Sequence, residues 1–191
     1  MVTRKSGSTL VHIDELVGKQ VCFREDKDLK DVKCLLFDWG DTLMADYPEY
    51  CGAMVTWERV SPMPEVVETL PEISKHFQCV VASNAVESNA ELMKQAFQRI
   101  DIDNCFSLFV TSKELGAVKP ESAFFERVAD ILHLKTSEMC MIGNDYNKDI
   151  VGAKNTGMKT IFITEQDGHY PAADHVIASF GKLSDVFCIS G

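Results

Sequence analysis

Residues 139–163 read MCMIGNDYNKDIVGAKNTGMKTIFI. The apolar run MCMI stops at Gly143 and gives way to Asn144 and Asp145. Residues 147–156 then carry a helical pattern that halts at Gly157, a natural helix stop. KTIFI opens a second apolar run. Each run has the length of a buried strand. A strand, a polar loop, a helix and a second strand in so short a span make one crossover of a parallel sheet.

The same shape recurs on both sides of this unit. KCLLFD at 33–38 and QCVVASN at 78–84 are apolar runs that end on polar residues, and CFSLFV at 105–110 and HVIASF at 175–180 add two more. Helical patterns lie between them. Residues 87–100 put Leu92, Met93, Ala96, Phe97 and Ile100 on one face. Residues 120–132 do so with Phe124, Phe125, Val128, Ala129 and Leu132, and Pro120 suits the first helical turn. Residues 63–77 read as helix, with Pro71 expected to kink or restart it. Strands alternating with amphipathic helices predict an α/β fold: a three-layer, doubly wound parallel sheet covered on both faces. Upstream, LVHIDELVG at 10–18 mixes helical and strand spacing, and the charged run 24–31 reads as a solvated connector. Residues 1–32 are therefore set apart as an extension of undecided structure, and 33–191 as the domain.

The 191 residues carry 19 basic and 29 acidic side chains, a net charge of −10. That balance disfavours nucleic acid and anionic membranes as partners, since phosphate backbones want Lys and Arg. A small phosphorylated ligand needs only local positive charge. The seven cysteines (Cys22, Cys34, Cys51, Cys79, Cys105, Cys140 and Cys188) form no CxxC pair, and several sit in apolar runs. This is the usage of a reduced, cytoplasmic compartment. MVTRKSGSTL does not read as a signal peptide, and no stretch approaches the ~20 apolar residues of a membrane span. The five histidines have no metal-ligand spacing, and no GxxxxGK or GxGxxG loop follows a strand.

In doubly wound sheets the ligand sits beyond the carboxyl ends of the strands. There the sequence places Asp38, Gly40, Asp41 and Thr42 after the first run, Ser83 and Asn84 after the second, and Asn144, Asp145 and Asp149 after the fourth; Lys119 precedes the intervening helix. Singly, each is an ordinary turn former or helix cap. Together and in this order they resemble the haloacid dehalogenase (HAD) superfamily of hydrolases. FDWGDTL resembles its first motif, VVASNA the second, GAVKPESAFF the third and MIGNDYNKDIVGAKNTGMKTIFI the fourth. The resemblance covers about residues 33–186 and implies a HAD-like Rossmannoid fold.

It also implies chemistry. Asp38 would attack phosphorus and form an aspartyl-phosphate, splitting one displacement into two. A carboxylate repels a phosphate dianion, so Mg2+ would bridge them, held by Asp38, the Gly40 carbonyl and Asp145, with Asp149 as ligand or support. Lys119 would neutralise phosphoryl oxygens and keep Asp38 ionised. Ser83 and the main-chain N–H groups near Thr42 and Asn84 would donate to the same oxygens. The expected function is a Mg2+-dependent phosphatase acting on a small phosphorylated metabolite or a phosphorylated macromolecule. The alternatives are a catalytically weak phospho-ligand sensor, and behind it a 2-haloacid dehalogenase or phosphonatase.

The chain departs from the pattern at Gly40, where the family usually has the Asp that protonates the leaving alcohol and then activates water. An acid follows one place later, at Asp41. Three readings stay open: Asp41 takes the role, the substrates carry good leaving groups, or hydrolysis is largely lost. In the fourth motif Asn144 stands where an acid is common, and Asp145 is preferred as the metal ligand. Residues 44–61 are too short for a cap domain and read as a flap, whose Met44, Tyr47, Tyr50, Met54 and Trp57 pack on the core, touch the substrate or form an interface. Such capless relatives accept large substrates or close their sites as homo-oligomers.

Overall fold

The structure is a computed structural model and describes residues 29–189. The segment 10–18 and most of the charged run 24–31 lie outside the described residues. All six apolar runs are strands: β1 (Cys34–Phe37), β2 (Gln78–Ser83), β3 (Leu108–Thr111), β4 (Met139–Gly143), β5 (Lys159–Ile163) and β6 (His175–Ile177). They form one sheet in the order β3-β2-β1-β4-β5-β6, with every pair parallel. The order reverses between β1 and β4, which places the crevice that binds ligands at their carboxyl ends.

Alternation along the strands separates two cores. Leu35, Phe37, Cys79, Val81, Cys140 and Ile142 face one side. There they meet helices α1 (Val66–Ile73), α2 (Ala90–Gln98) and α6 (Leu183–Val186) through Leu70, Phe97 and Leu183. Cys34, Leu36, Val80, Ala82, Met139 and Met141 face the other. That side is closed by α3 (Ser112–Leu115), α4 (Ser122–Leu132) and α5 (Gly152–Lys154) through Leu115, Phe124, Phe125 and Ala153. Because both faces are covered, the central strands are apolar at every position rather than at every second one. Burial pushes the Cys34 thiol up to about 12, and the thiols of Cys79 and Cys140 rise for the same reason. These three are core residues.

The helices differ from the sequence reading in three places. The α1 helix runs through Pro71 without restarting and ends two residues later, at Ile73. Proline lacks an N–H for the preceding turn and crowds it, and the helix ends within one turn of it. Pro120 lies outside α4: Glu121 caps that helix, and the Lys119–Pro120 peptide is cis. The segment after β4 opens as a π-helical turn (Tyr146–Val151), capped by Asp145, and only then becomes α5, which ends before Gly157.

One contact ties the fold to the site. Gly152 packs so close to the loop before α4 that an added Cβ would lie 2.8 Å from Pro120 Cα and 2.9 Å from Phe125 Cε2. Backbone cannot yield as a side-chain tip can. Gly152→Ala is therefore expected to cost about 1–3 kcal/mol of stability by overpacking, read from the urea midpoint.

Candidate active site

Asp38 follows β1 directly, and its N–H donates to the Ile142 carbonyl at 3.0 Å, so the first residue beyond the strand is still pinned to β4. Lys119 comes from the loop before α4 and is buried, with a side chain 2% exposed. Its ammonium donates to Asp38 Oδ1 at 2.5 Å, to Asp149 Oδ1 at 2.7 Å and to the Ala82 carbonyl at 3.1 Å. Burial alone would pull this amine down, but the two carboxylates outweigh it and hold it above the ordinary lysine value.

Neighbouring residues fix this cation. Asn84, beyond β2, clamps the Lys119 backbone from both sides: its Nδ2 donates to the Lys119 carbonyl at 2.9 Å, and its Oδ1 accepts the Lys119 N–H at 2.8 Å. Asp149, on the π-helical turn, accepts the Asp145 N–H at 3.1 Å through its other oxygen. Burial raises its carboxyl, and the attraction of Lys119 opposes that rise. A Cβ at position 143 would collide with the Asp149 carboxylate, so glycine at the end of β4 is what lets this side chain reach Lys119.

Most of the residues anticipated from sequence meet here. Asp38, Gly40, Ser83, Asn84, Lys119, Asp145 and Asp149 line one cavity of about 240 Å³ at the carboxyl ends of β1, β2 and β4. Two residues take other places. Asp41 adopts φ +54° in a tight turn and spends its Oδ1 on the Asp46 N–H at 2.9 Å. Thr42 is buried and donates to Asn144 Oδ1 at 3.0 Å. Both line a separate cavity with Met63 and Phe180. The backbone turn at 41–44 carries them there: Asp41 N–H donates to the Met44 carbonyl, and the N–H groups of Leu43 and Met44 both donate to Trp39.

The site also holds residues that the sequence reading missed. Asp46 and Lys148 line the same cavity as Asp38. Partial desolvation of this still exposed side chain, with the nearby carboxylates of Asp41 and Asp38, raises the Asp46 carboxyl above the usual range against a hydrogen bond from the Tyr47 N–H. Lys148 pairs with Asp145 Oδ2 at 2.8 Å. Neither had a signal in spacing, because each sits in a loop whose path only the fold decides. Met54 is buried, Tyr50 stacks on Trp57 with centroids 5.4 Å apart, and Arg99 on the end of α2 donates to the carbonyls of Val55, Trp57 and Glu58.

Among the described residues, no three His, Cys, Asp or Glu side chains form a metal cage. The donors at the cavity are hard: the carboxylates of Asp38, Asp46, Asp145 and Asp149 line it beside Gly40. Such a set suits Mg2+, which keeps several waters and takes one or two carboxylates. Asp145 Oδ1 is engaged by the N–H groups of Asn147 and Lys148. Its Oδ2 meets only the exposed Lys148, a pair that costs little to open.

Residues 19–163 match the family described as haloacid dehalogenase-like hydrolase. The chain is 29% identical over 140 residues to the ribulose-1,5-bisphosphate 5-phosphatase of Halopiger xanaduensis, covering 68% of this chain and 58% of that one. It is 31% identical over 119 residues to the glyceraldehyde 3-phosphate phosphatase of Methanothermobacter thermautotrophicus, covering 59% and 51%. The chain thus spans little more than half the length of these two relatives. Its fold superposes on the magnesium-bound crystal structure of YfnB from Bacillus subtilis with a TM-score of 0.67 at 13% identity, covering 82% of this chain and 98% of that one.

Removing the buried cation would strand two carboxylates against each other. Lys119→Met is expected to lower stability by about 3–5 kcal/mol, measured by denaturant unfolding at neutral pH. Adding Asp149→Leu to that variant is expected to recover part of the loss, because an apolar residue removes the uncompensated charge.

Proposed function

Because the chain belongs to the haloacid dehalogenase-like hydrolases, we propose that it is a Mg2+-dependent phosphatase that works through Asp38 on a small phosphate monoester or acyl phosphate. The observation that carries this reading is the buried Lys119 ammonium on Asp38, facing a cavity that Asp145 and Gly40 also line. A carboxylate so paired is aimed by a fixed partner, as a nucleophile must be.

The roles follow from position. Asp38 attacks phosphorus, forms the aspartyl-phosphate and releases the alcohol. Lys119 then lies beside the phosphoryl oxygens and offsets their charge. Ser83, whose Oγ accepts the Ala85 N–H at 3.1 Å, keeps its own proton to donate to one of those oxygens. Asn84 positions Lys119 rather than the substrate through its side chain. Asp149 holds Lys119 and the Asp145 backbone and supports the site from behind. Asp38, the Gly40 carbonyl and Asp145 would hold Mg2+, which supplies the positive charge that lets a carboxylate approach a phosphate dianion.

Two relatives are named for phosphatase action on small phosphorylated sugars, which favours a small metabolite over a macromolecule. We read residues 33–191 as one domain in which the flap 44–61 stands in place of a cap. The buried thiols Cys34, Cys79 and Cys140 fit a reduced, cytoplasmic setting. Among the described residues no helix is long and apolar enough to cross a membrane.

With Mg2+, the protein is expected to hydrolyse p-nitrophenyl phosphate, and EDTA to stop the reaction. Asp38→Asn is expected to lower kcat by at least about 10³-fold, the scale on which a removed nucleophile acts. Absence of turnover on aryl, alkyl and acyl phosphates alike would overturn the reading in favour of a phospho-ligand sensor.

A further inference from the structure

Neither position 40 nor position 41 offers a group to protonate the leaving alcohol. Position 40, where the family's first motif usually supplies it, is glycine. Asp41 is turned away into another cavity and spends an oxygen on the turn. A third carboxylate borders that place. A Cβ built on Gly40 would lie 3.7 Å from both Cβ and Oδ2 of Asp46, so Asp46 borders the space a side chain at position 40 would fill.

The cavities around Asp46 indicate what it faces. The polar cavity of Asp38 and Lys119 adjoins a second one of about 220 Å³, walled by Trp39, Met54, Trp57 and Val86. Gly40, Asp46 and Ser83 line both, and so form the neck between them. With a phosphoryl group beside Asp38, the organic half of a substrate would extend through this neck into the second cavity. The bond that breaks then lies at the neck.

On these grounds, and resting on the phosphatase reading above, we propose that Asp46 is the general acid and base of the reaction, supplied from the flap in place of a carboxylate at position 40. As the Asp38 Oδ–P bond forms and the P–O bond to the leaving group breaks, the Asp46 carboxylic acid gives its proton to the departing alkoxide. The Asp46 carboxylate then takes a proton from water as that water attacks phosphorus. The Asp38 O–P bond breaks, inorganic phosphate leaves, and both side chains return to their starting states.

The surroundings hold Asp46 for this role. Asp41 fixes its N–H at 2.9 Å, so the displaced acid of the first motif becomes a positioning residue. One residue away, the flap base is closed by the Ala45 N–H on the Ser61 carbonyl at 3.0 Å and by the Met44–Pro62 bridge.

The test compares leaving groups. The p-nitrophenolate ion departs without a proton, whereas an alkoxide needs one. Asp46→Asn is expected to lower kcat/KM for an alkyl phosphate such as glycerol phosphate by about 10²-fold or more, while p-nitrophenyl phosphate falls less than about tenfold. Gly40 has no positive φ and a Cβ there would meet Asp46 only at ordinary contact distance, so the double variant Gly40→Asp with Asp46→Ala moves the carboxylate six residues back. It is expected to recover alkyl phosphate turnover over Asp46→Ala alone. An Asp46→Asn enzyme with undiminished alkyl phosphate turnover overturns the assignment. If both substrates fall alike, the double variant decides: recovery supports the role, and none overturns it. Because the wild type is assayed alongside, an inactive wild type overturns the phosphatase reading and this assignment with it, whereas an active wild type with an unchanged leaving-group pattern overturns this assignment alone.

Discussion

The arrangement at the centre of this protein depends on one buried ammonium. Lys119 Nζ sits between Asp38 and Asp149, and each of the three comes from a different element: the end of β1, the loop before α4 and the π-helical turn after β4. Two carboxylates could not share so dry a place without it, because each would pay its desolvation without return. The ammonium in turn needs both acids. Its backbone is held separately by Asn84, so neither the charge nor its carrier has much freedom. A site built this way is arranged before anything binds, which is the condition under which charged groups contribute most to a reaction.

Sheet topology decides which residues can join that cluster. The β1 strand lies between β2 and β4, so the residues just past these three strands share one rim. Asp38, Ser83 and Asp145 are far apart in the chain and adjacent only through this order. The close packing of Gly152 on Pro120 links the second layer of helices to the same rim. Stability and site geometry are therefore carried partly by the same contacts.

The short flap does more than cover the core. Its aromatic residues Tyr47, Tyr50 and Trp57 pack against one another, Tyr50 stacked on Trp57, and Arg99 fastens its far side to α2. A segment anchored at both ends can carry a side chain to a fixed point without a cap domain behind it. The exchange of residue types at positions 40 and 41 is intelligible in these terms. Glycine at 40 clears the neck, and Asp41, in a left-handed turn where Asp is one of the better tolerated residues, orders the start of the flap.

Much of this was legible in the chain alone. Apolar runs flanked by helical periodicity determine the six strands and the doubly wound sheet, since a strand covered on both faces must be apolar throughout. Residue type at the strand ends picks out Asp38, Ser83, Lys119 and Asp145, because the carboxyl edge of such a sheet is where ligands lie. Local sequence could not decide where loops travel. Whether Asp41 or Asp46 faces Asp38 depends on the sign of one φ angle and on hydrogen bonds from the turn to Trp39, and Thr42 turns to Asn144 for the same reason. Strand periodicity is a property of neighbouring residues, whereas the aim of a loop side chain is set by contacts distant in the chain, and only the assembled tertiary structure brings those into being.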